Sequence, residues 1–288
     1  MPDTREHRGP HPADAELFAP AMLPRLREAA ADFCLLLTKG YADKSALKLV
    51  GDRFSLTQRQ RLAVMRSSCS DQQLQSRLAR CVPVAALAGQ PLALDGYNLL
   101  ITIEAALSGG LIFQGRDGCF RDLASIHGTY RKVEETVPAV KLIGEFLAQI
   151  PVASPRVEGV PPSDRGQDAR DTSVAKVLWL LDSPVSNSGR LKVLIGEIAR
   201  ESHWAWDIRL TLSPDAELSS PLTVGCAVHT NTEAREDSEH STPYEPAIVV
   251  STDSVILDAC PQWTNLAAAM IARTLPQTRV IGLFPDVP

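Results

Sequence analysis

No apolar run in this chain of 288 residues is long enough to cross a bilayer; Phe33-Cys-Leu-Leu-Leu-Thr38 is short and ends at Lys39. Met1 to Pro12 is charged and proline-rich, without the apolar centre of a secretory leader, so the cytoplasm is the expected location and no membrane partner is expected. The six cysteines (34, 69, 81, 119, 226 and 260) form no Cys-x-x-Cys pair, and several sit among apolar neighbours. They read as reduced structural thiols and argue against a zinc site. No Gly-x-Ser-x-Gly elbow supports serine catalysis. No glycine-rich loop ends in Gly-Lys-Ser/Thr, which disfavours P-loop hydrolysis. Internal repeats are absent.

What is present is ordinary globular composition, 44% apolar and 22% charged, with enough chain for one large domain or two modest ones. The charge is unevenly spread. Residues 21–90 carry 11 Lys/Arg against 5 Asp/Glu, whereas residues 91–288 carry 16 against 25. A basic part joined to an acidic part suggests a polyanion contact on the first and metal chemistry on the second; a solvated helix face explains the basic part equally well.

The pattern predicts three regions. Residues 1–19 combine proline, histidine and charge and read as a disordered tail. Residues 20–90 read as a small basic α-helical region: Leu23, Leu26, Ala30, Phe33, Leu36 and Leu37 keep helical spacing up to Gly40, Ser45–Val50 is a short helix, Ser55 is a candidate N-cap for the next, and 71–80 is another. Residues 91–288 read as α/β. Apolar strands are expected at 92–94, 176–181, 206–212, 247–250 and 279–284. Helices are expected at 99–107, 134–149, 189–201 and 263–275, with flexible excursions near 151–173 and 230–246. Short apolar strands alternating with helices predict a mainly parallel sheet covered on both faces.

Three aspartates directly follow strands: Asp95, Asp182 and Asp253. A parallel sheet brings their ends to one edge, where mutual repulsion favours a hard cation such as Mg²⁺ or Mn²⁺. An aspartate in that position also caps the following helix, the plainer role for any one of them. Ser186, Asn187, Ser188 and Arg190 are candidates for holding phosphate at a helix start. Arg116 and Arg121 lie in an expected loop, as phosphate contacts or as partners of Asp117 and Asp122. In the head, Arg59 and Arg66 are seven residues apart and share a helix face beside Arg53 and Arg61, a candidate RNA- or DNA-phosphate surface. Little aromatic interleaving accompanies them, which argues against base stacking. His127 is a weaker candidate near the site, and His203 reads as helix-end surface.

Asp95-Gly-Tyr-Asn98 after an apolar strand resembles the first motif of PIN-like and NYN-like nuclease domains, and Ser251-Thr-Asp253-Ser resembles their late Asp motif. Asp182-Ser-Pro-Val-Ser-Asn-Ser-Gly-Arg190 has the position of a middle motif with departing wording. From about Gly40 to Pro285 the chain also resembles a prokaryotic family defined by a domain of unknown function, most clearly over 40–54 and 94–107. The PIN-like resemblance implies a Rossmann-like sheet and Mg²⁺- or Mn²⁺-dependent RNA cleavage. Asp95, Asp253 and Asp182 would be metal ligands and catalytic carboxylates, with Asn98 orienting Asp95 or touching phosphate. Those nucleases usually carry a further acid on an intervening helix. Glu104 is the candidate carried forward, with Asp117, Glu134, Glu135 and Asp258 as others. A non-catalytic nucleic-acid-binding or assembly protein is the alternative, and a homo-oligomer stays open.

Overall fold

A computed structural model of the chain describes residues 7–124, 130–150, 176–220 and 247–284. The head holds helices α1 (Asp14–Leu17), α2 (Leu23–Thr38), α3 (Asp43–Arg53), α4 (Gln58–Ser67) and α5 (Asp71–Arg80). There follow β1 (Pro91–Asp95), α6 (Gly96–Leu107), β2 (Ile112–Gln114), β3 (Phe120–Arg121) and α7 (Thr136–Ala148). The remainder is β4 (Lys176–Asp182), α8 (Ser188–Glu201), β5 (Trp206–Thr211), α9 (Pro214–Leu218), β6 (Ile248–Val250), α10 (Ser254–Ala259), β7 (Trp263–Thr264), α11 (Leu266–Thr274) and β8 (Val280–Gly282).

The body is mixed α/β around a five-stranded sheet in the order β5-β4-β1-β6-β7, with every pairing parallel. Alternation along the strands assigns the two faces. Leu92, Leu94, Trp179, Leu181, Ile248 and Val250 point toward α6, α7, α8 and α11. Ala93, Leu178, Leu180 and Val249 point toward α9 and α10, where Leu218, Ile256 and Leu257 close the core. Both faces are therefore covered, and the central strands read as unbroken apolar runs for that reason. Chain direction reverses across the sheet beside β1: β4 and β5 lie on one side, β6 and β7 on the other. The crevice at the carboxyl ends of β1 and β6 is the topological switch point, where open α/β sheets take ligands.

One strand assignment changes. The apolar segment near the C-terminus does form a strand, β8, but it pairs with β2 in a separate three-stranded sheet, β3-β2-β8. The fifth strand of the main sheet is Trp263–Thr264, which helical periodicity assigns to the start of a helix. Two residues are too few for a strand period to show.

The small sheet shares a core with the head. Phe113, Ile281 and Leu283 pack with Leu26, Phe33, Val50 and Val64. The segment before residue 20, expected to be disordered, is also anchored there over its described part: Phe18 is fully buried, and Arg8 is buried in an ion pair with Glu104. Single anchors of this kind do not alter a composition-based reading. In the head, Thr57 rather than Ser55 caps α4: Thr57 is extended and completes a capping box with Gln60, whereas Ser55 sits in the left-handed region at φ 47°. The excursions near 151–173 and 230–246, and His127, lie outside the described residues.

Candidate functional site at the sheet edge

The strand register explains how the aspartates are arranged. Asp95 is level with Leu180 on one neighbour, and Leu94 with Val250 on the other. Asp182 and Asp253 therefore stand two residues further along, roughly 6–7 Å beyond Asp95 at the rise of a strand. Asp95 forms the floor of a notch, 6% exposed, and the other two flank its mouth, half-buried. Gly96 makes the notch possible. A Cβ there would lie 2.7 Å from the Leu180 carbonyl oxygen, so only glycine lets α6 start against β4.

Asp95 and Asp253 do cap helices. Asp95 Oδ1 accepts from Asn98 N at 3.4 Å, and Asp253 Oδ1 accepts from Val255 N at 2.8 Å. Asp95 does more than cap, because its Oδ2 accepts from Ser251 Oγ at 2.8 Å, across the switch point. Asn98 ties the same two strand ends together: its Oδ1 accepts from Thr252 Oγ1 at 2.6 Å and from Thr252 N. Since an N–H must meet the carbonyl, the amide orientation is fixed, and the Asn98 NH₂ is left free to donate. Asp182 caps nothing.

A fourth carboxylate belongs to the group. Asp215, in the first turn of α9 just past β5, repels both Asp95 and Asp182 and is itself repelled by Asp253. Burial, with this repulsion added, pushes the Asp95 carboxyl up to about 7 against the hydrogen bond from Ser251. Burial first and neighbouring carboxylate second also raise Asp182 and Asp215. No cation pairs with any of the four among the described residues. The Tyr97 hydroxyl, on a residue 5% exposed, has no hydrogen-bond partner among the described residues and feels the Asp182 charge. Asp215 follows a strand as the other three do, but a Ser-Pro step intervenes, and that spacing hides it in the sequence. Among the described residues no three carboxylate, imidazole or thiol groups form a ready metal shell. The two-residue stagger accounts for that.

The other candidate acids lie elsewhere. Glu104 is nine residues along α6 from Asp95, roughly 13 Å at helical rise. It is fully buried, accepting from Arg8 Nε at 2.9 Å, Tyr130 Oη at 2.5 Å and Thr136 Oγ1 at 2.6 Å. It is a core ion-pair residue, not a ligand of this site. Glu134 and Glu135 face His7. Asp117 is enclosed by Arg77 and Arg121, each at 2.7 Å, and Asp258 binds Arg77 Nε at 2.7 Å.

The arginines proposed as phosphate contacts are engaged within the protein. Arg59 pairs with Asp14, Arg61 with Asp52, Arg53 with Asp32, and Arg116 with Asp71. Arg66 Nη1 donates to the Asp122 carbonyl at 2.5 Å. The shared helix face of Arg59 and Arg66 is thus an interface between head and body. Ser186, Asn187, Ser188 and Arg190 lie at the start of α8: Asn187 donates to the Tyr130 carbonyl and Ser188 to that of Ser183. Asn187 and Arg190 line a cavity of about 410 Å³ with Arg131 and Lys132, separate from the aspartates.

A different cavity, of about 270 Å³, opens where the head meets the sheet edge, with Asn98, Thr252 and Asp253 on one wall and Met65, Arg66 and Arg77 on the other. Arg77 of the head and Arg121 of β3 hold that edge in place. Arg121 Nε donates to the Thr252 carbonyl at 2.7 Å, and Arg77 Nη2 to that of Ser254 at 3.3 Å, clamping the segment that carries Asp253.

Comparison with known proteins divides the chain along the same line. The family model described as Domain of unknown function (DUF5616) matches residues 84–157 and 166–269, and that described as Protein of unknown function (DUF434) matches residues 25–80. An uncharacterized protein of Methanocaldococcus jannaschii is 29% identical over 122 residues, covering 42% of this chain and 59% of that relative. The chain thus spans less than two thirds of the relative's length. No solved structure matches. No described helix is long and apolar enough to cross a membrane. With more than half its length matched, the chain belongs to the family described as Domain of unknown function (DUF5616), preceded by a segment similar to DUF434.

Proposed function

We propose that the protein is a divalent-cation-dependent phosphodiesterase acting on nucleic acid, with RNA as the expected substrate and a PIN-like sheet as its scaffold. One observation carries this reading: four aspartates follow four strand ends along the carboxyl edge of the sheet, where they repel one another with no cation among the described residues to offset them. The donors are all oxygen, which suits Mg²⁺ or Mn²⁺. Such ions keep most of their waters and use one or two carboxylates plus substrate phosphate, so a staggered set fits them better than a closed cage. Asp95, Asp182 and Asp253 would hold the ion, with Asp215 at the rim. The ion would polarise the phosphodiester and lower the pKa of a bound water. The Asn98 NH₂ would donate to a phosphate oxygen, and Ser251 would keep Asp95 aimed into the notch.

The test is cleavage of labelled RNA and single-stranded DNA with Mn²⁺ and with EDTA, using wild type, Asp182→Asn and Asp253→Asn. Metal-dependent cutting by wild type, reduced at least a hundredfold in both variants, is expected. Equal cutting by Asp253→Asn would sink the assignment. The helix-capping roles of Asp95 and Asp253 favour a second reading, a binding protein that keeps the notch without turnover. It predicts metal-dependent RNA retention with no cleavage in the same samples.

A further inference from the structure

The cavity of about 270 Å³ between head and sheet edge has two unlike sides. Phe33, Leu37 and Met65, from α2 and α4, form an apolar wall. Opposite them stand groups with hydrogen bonds still to make. Asn98 has its NH₂ free because its carbonyl is held by Thr252. Arg66 uses only Nη1 on Asp122, leaving Nε and Nη2. Asp253 is the sheet-edge carboxylate that lines the cavity, with Asp43 and Asp122 also on its wall, so an occupant meets the edge at Asp253.

An occupant must therefore present a flat apolar face, a polar edge and an anionic group close to Asp253. A nucleotide has all three: its base would lie along Leu37 and Met65, and its phosphate would reach Asn98 and Arg66. The size is restrictive. Ligand pockets commonly run from about 300 to 1,000 Å³, so this one takes a single nucleotide and excludes a duplex. A strand running through would need an exit opposite its entrance. Here α2, α4 and α5 wall the head side, while α6, β3 and residues 252–254 wall the body side.

We infer that this cavity receives the terminal nucleotide of a single strand, which makes the enzyme end-dependent and the DUF434-like head one wall of its substrate pocket. This rests on the phosphodiesterase reading for its chemistry, though not for its binding. It also gives the head a role that its paired arginines do not supply.

Two measurements test it. Binding of the four ribonucleoside 5′-monophosphates is measured by calorimetry, with Mg²⁺ and with EDTA, for wild type, Met65→Trp and Met65→Ala. Met65 is 40% exposed, so either replacement is compatible with folding. At least one monophosphate should bind wild type, at least tenfold more weakly to Met65→Trp, and about threefold to tenfold more weakly to Met65→Ala, which loses the surface under the base. No binding in either buffer, or equal binding by Met65→Trp, overturns the inference. A linear single-stranded RNA and its circularised form are then offered with Mn²⁺. Trimming of the linear form alone is expected. Cutting of the circle at the same rate overturns the end-dependent pocket and leaves the phosphodiesterase standing. Nucleotide binding lost in Met65→Trp, with neither RNA cut, upholds the pocket and removes the phosphodiesterase.

Discussion

Where the head meets the body, Asp117 is 5% exposed and lies between Arg77 and Arg121; at the sheet edge, Asp95 is 6% exposed and faces Asp253 and Asp215. The residue type and the burial are the same. Burial alone would raise both carboxyls, but the two guanidinium groups outweigh it and hold Asp117 far below the usual range. Asp95 has no such partner and is pushed up to about 7. The other described acids of the interface repeat the first pattern, as Asp14, Asp71, Asp122 and Asp258 each meet an arginine. The sheet-edge acids repeat the second. Among the described residues, these interface acids are thus paired with arginine, and the four at the sheet edge are not. That selectivity, more than the number of acids, is what makes the edge the candidate site.

The largest expected effect is on the neutralised side. Asp117→Ala strands two buried arginines and should cost ~3–5 kcal/mol of stability, read as a shift in the urea midpoint. A loss below ~1 kcal/mol would show that water replaces the carboxylate and that the contrast with Asp95 is overstated.

The sheet edge should respond with the opposite sign. In metal-free buffer Asp95→Asn keeps the cap and the Ser251 contact while removing the charge. The carboxyl's folded value of about 7 lies above its ordinary 3.8, so the folded chain holds the proton more tightly. That favourable contribution is complete below about pH 4 and is lost as pH climbs through about 7. The variant should therefore be more stable than wild type at pH 8, by ~2–4 kcal/mol, and equal to it or weaker at pH 4. A difference independent of pH would place Asp95 in the same class as Asp117.

Millimolar Mg²⁺ or Mn²⁺ should stabilise wild type at pH 8 by ~1–3 kcal/mol, visible as a rise in Tm of a few degrees. Asp182→Asn and Asp253→Asn should lose most of that rise, and Asp117→Asn should keep it. A rise that survives both sheet-edge variants would mean that the ion binds elsewhere.

The smallest effect expected is at Arg59, which is paired with Asp14. Arg59→Ala should change RNA affinity less than about twofold and leave its salt dependence unaltered. A salt slope reduced by about one unit would restore the head as a phosphate-contacting surface.

Much of this was legible in the sequence. The apolar runs ending at Asp95, Asp182 and Asp253 gave the parallel sheet and its acidic edge, because a strand covered on both faces must be apolar throughout and its end must be polar. Asp215 stayed hidden, because nothing in the spacing of Ser213-Pro-Asp215 ties it to the other strand ends. Glu104 was misplaced because a helix brings an acid near its own start only within a turn or two, and it lies beyond that. The arginines of the head show their charge but not their partners, since Asp14, Asp122 and Asp258 are distant in sequence and reach them only through packing.

Sequence alone thus determined the local periodicities, the α/β class and the acids at three strand ends, because those depend on burial repeated at short range. Tertiary structure decided the strand order, the stagger that sets Asp95 behind its neighbours, the fourth carboxylate, and the pairing of nearly every head arginine. Each of these rests on contacts between residues far apart in the chain, where electrostatics depends on distance in space and not along the sequence.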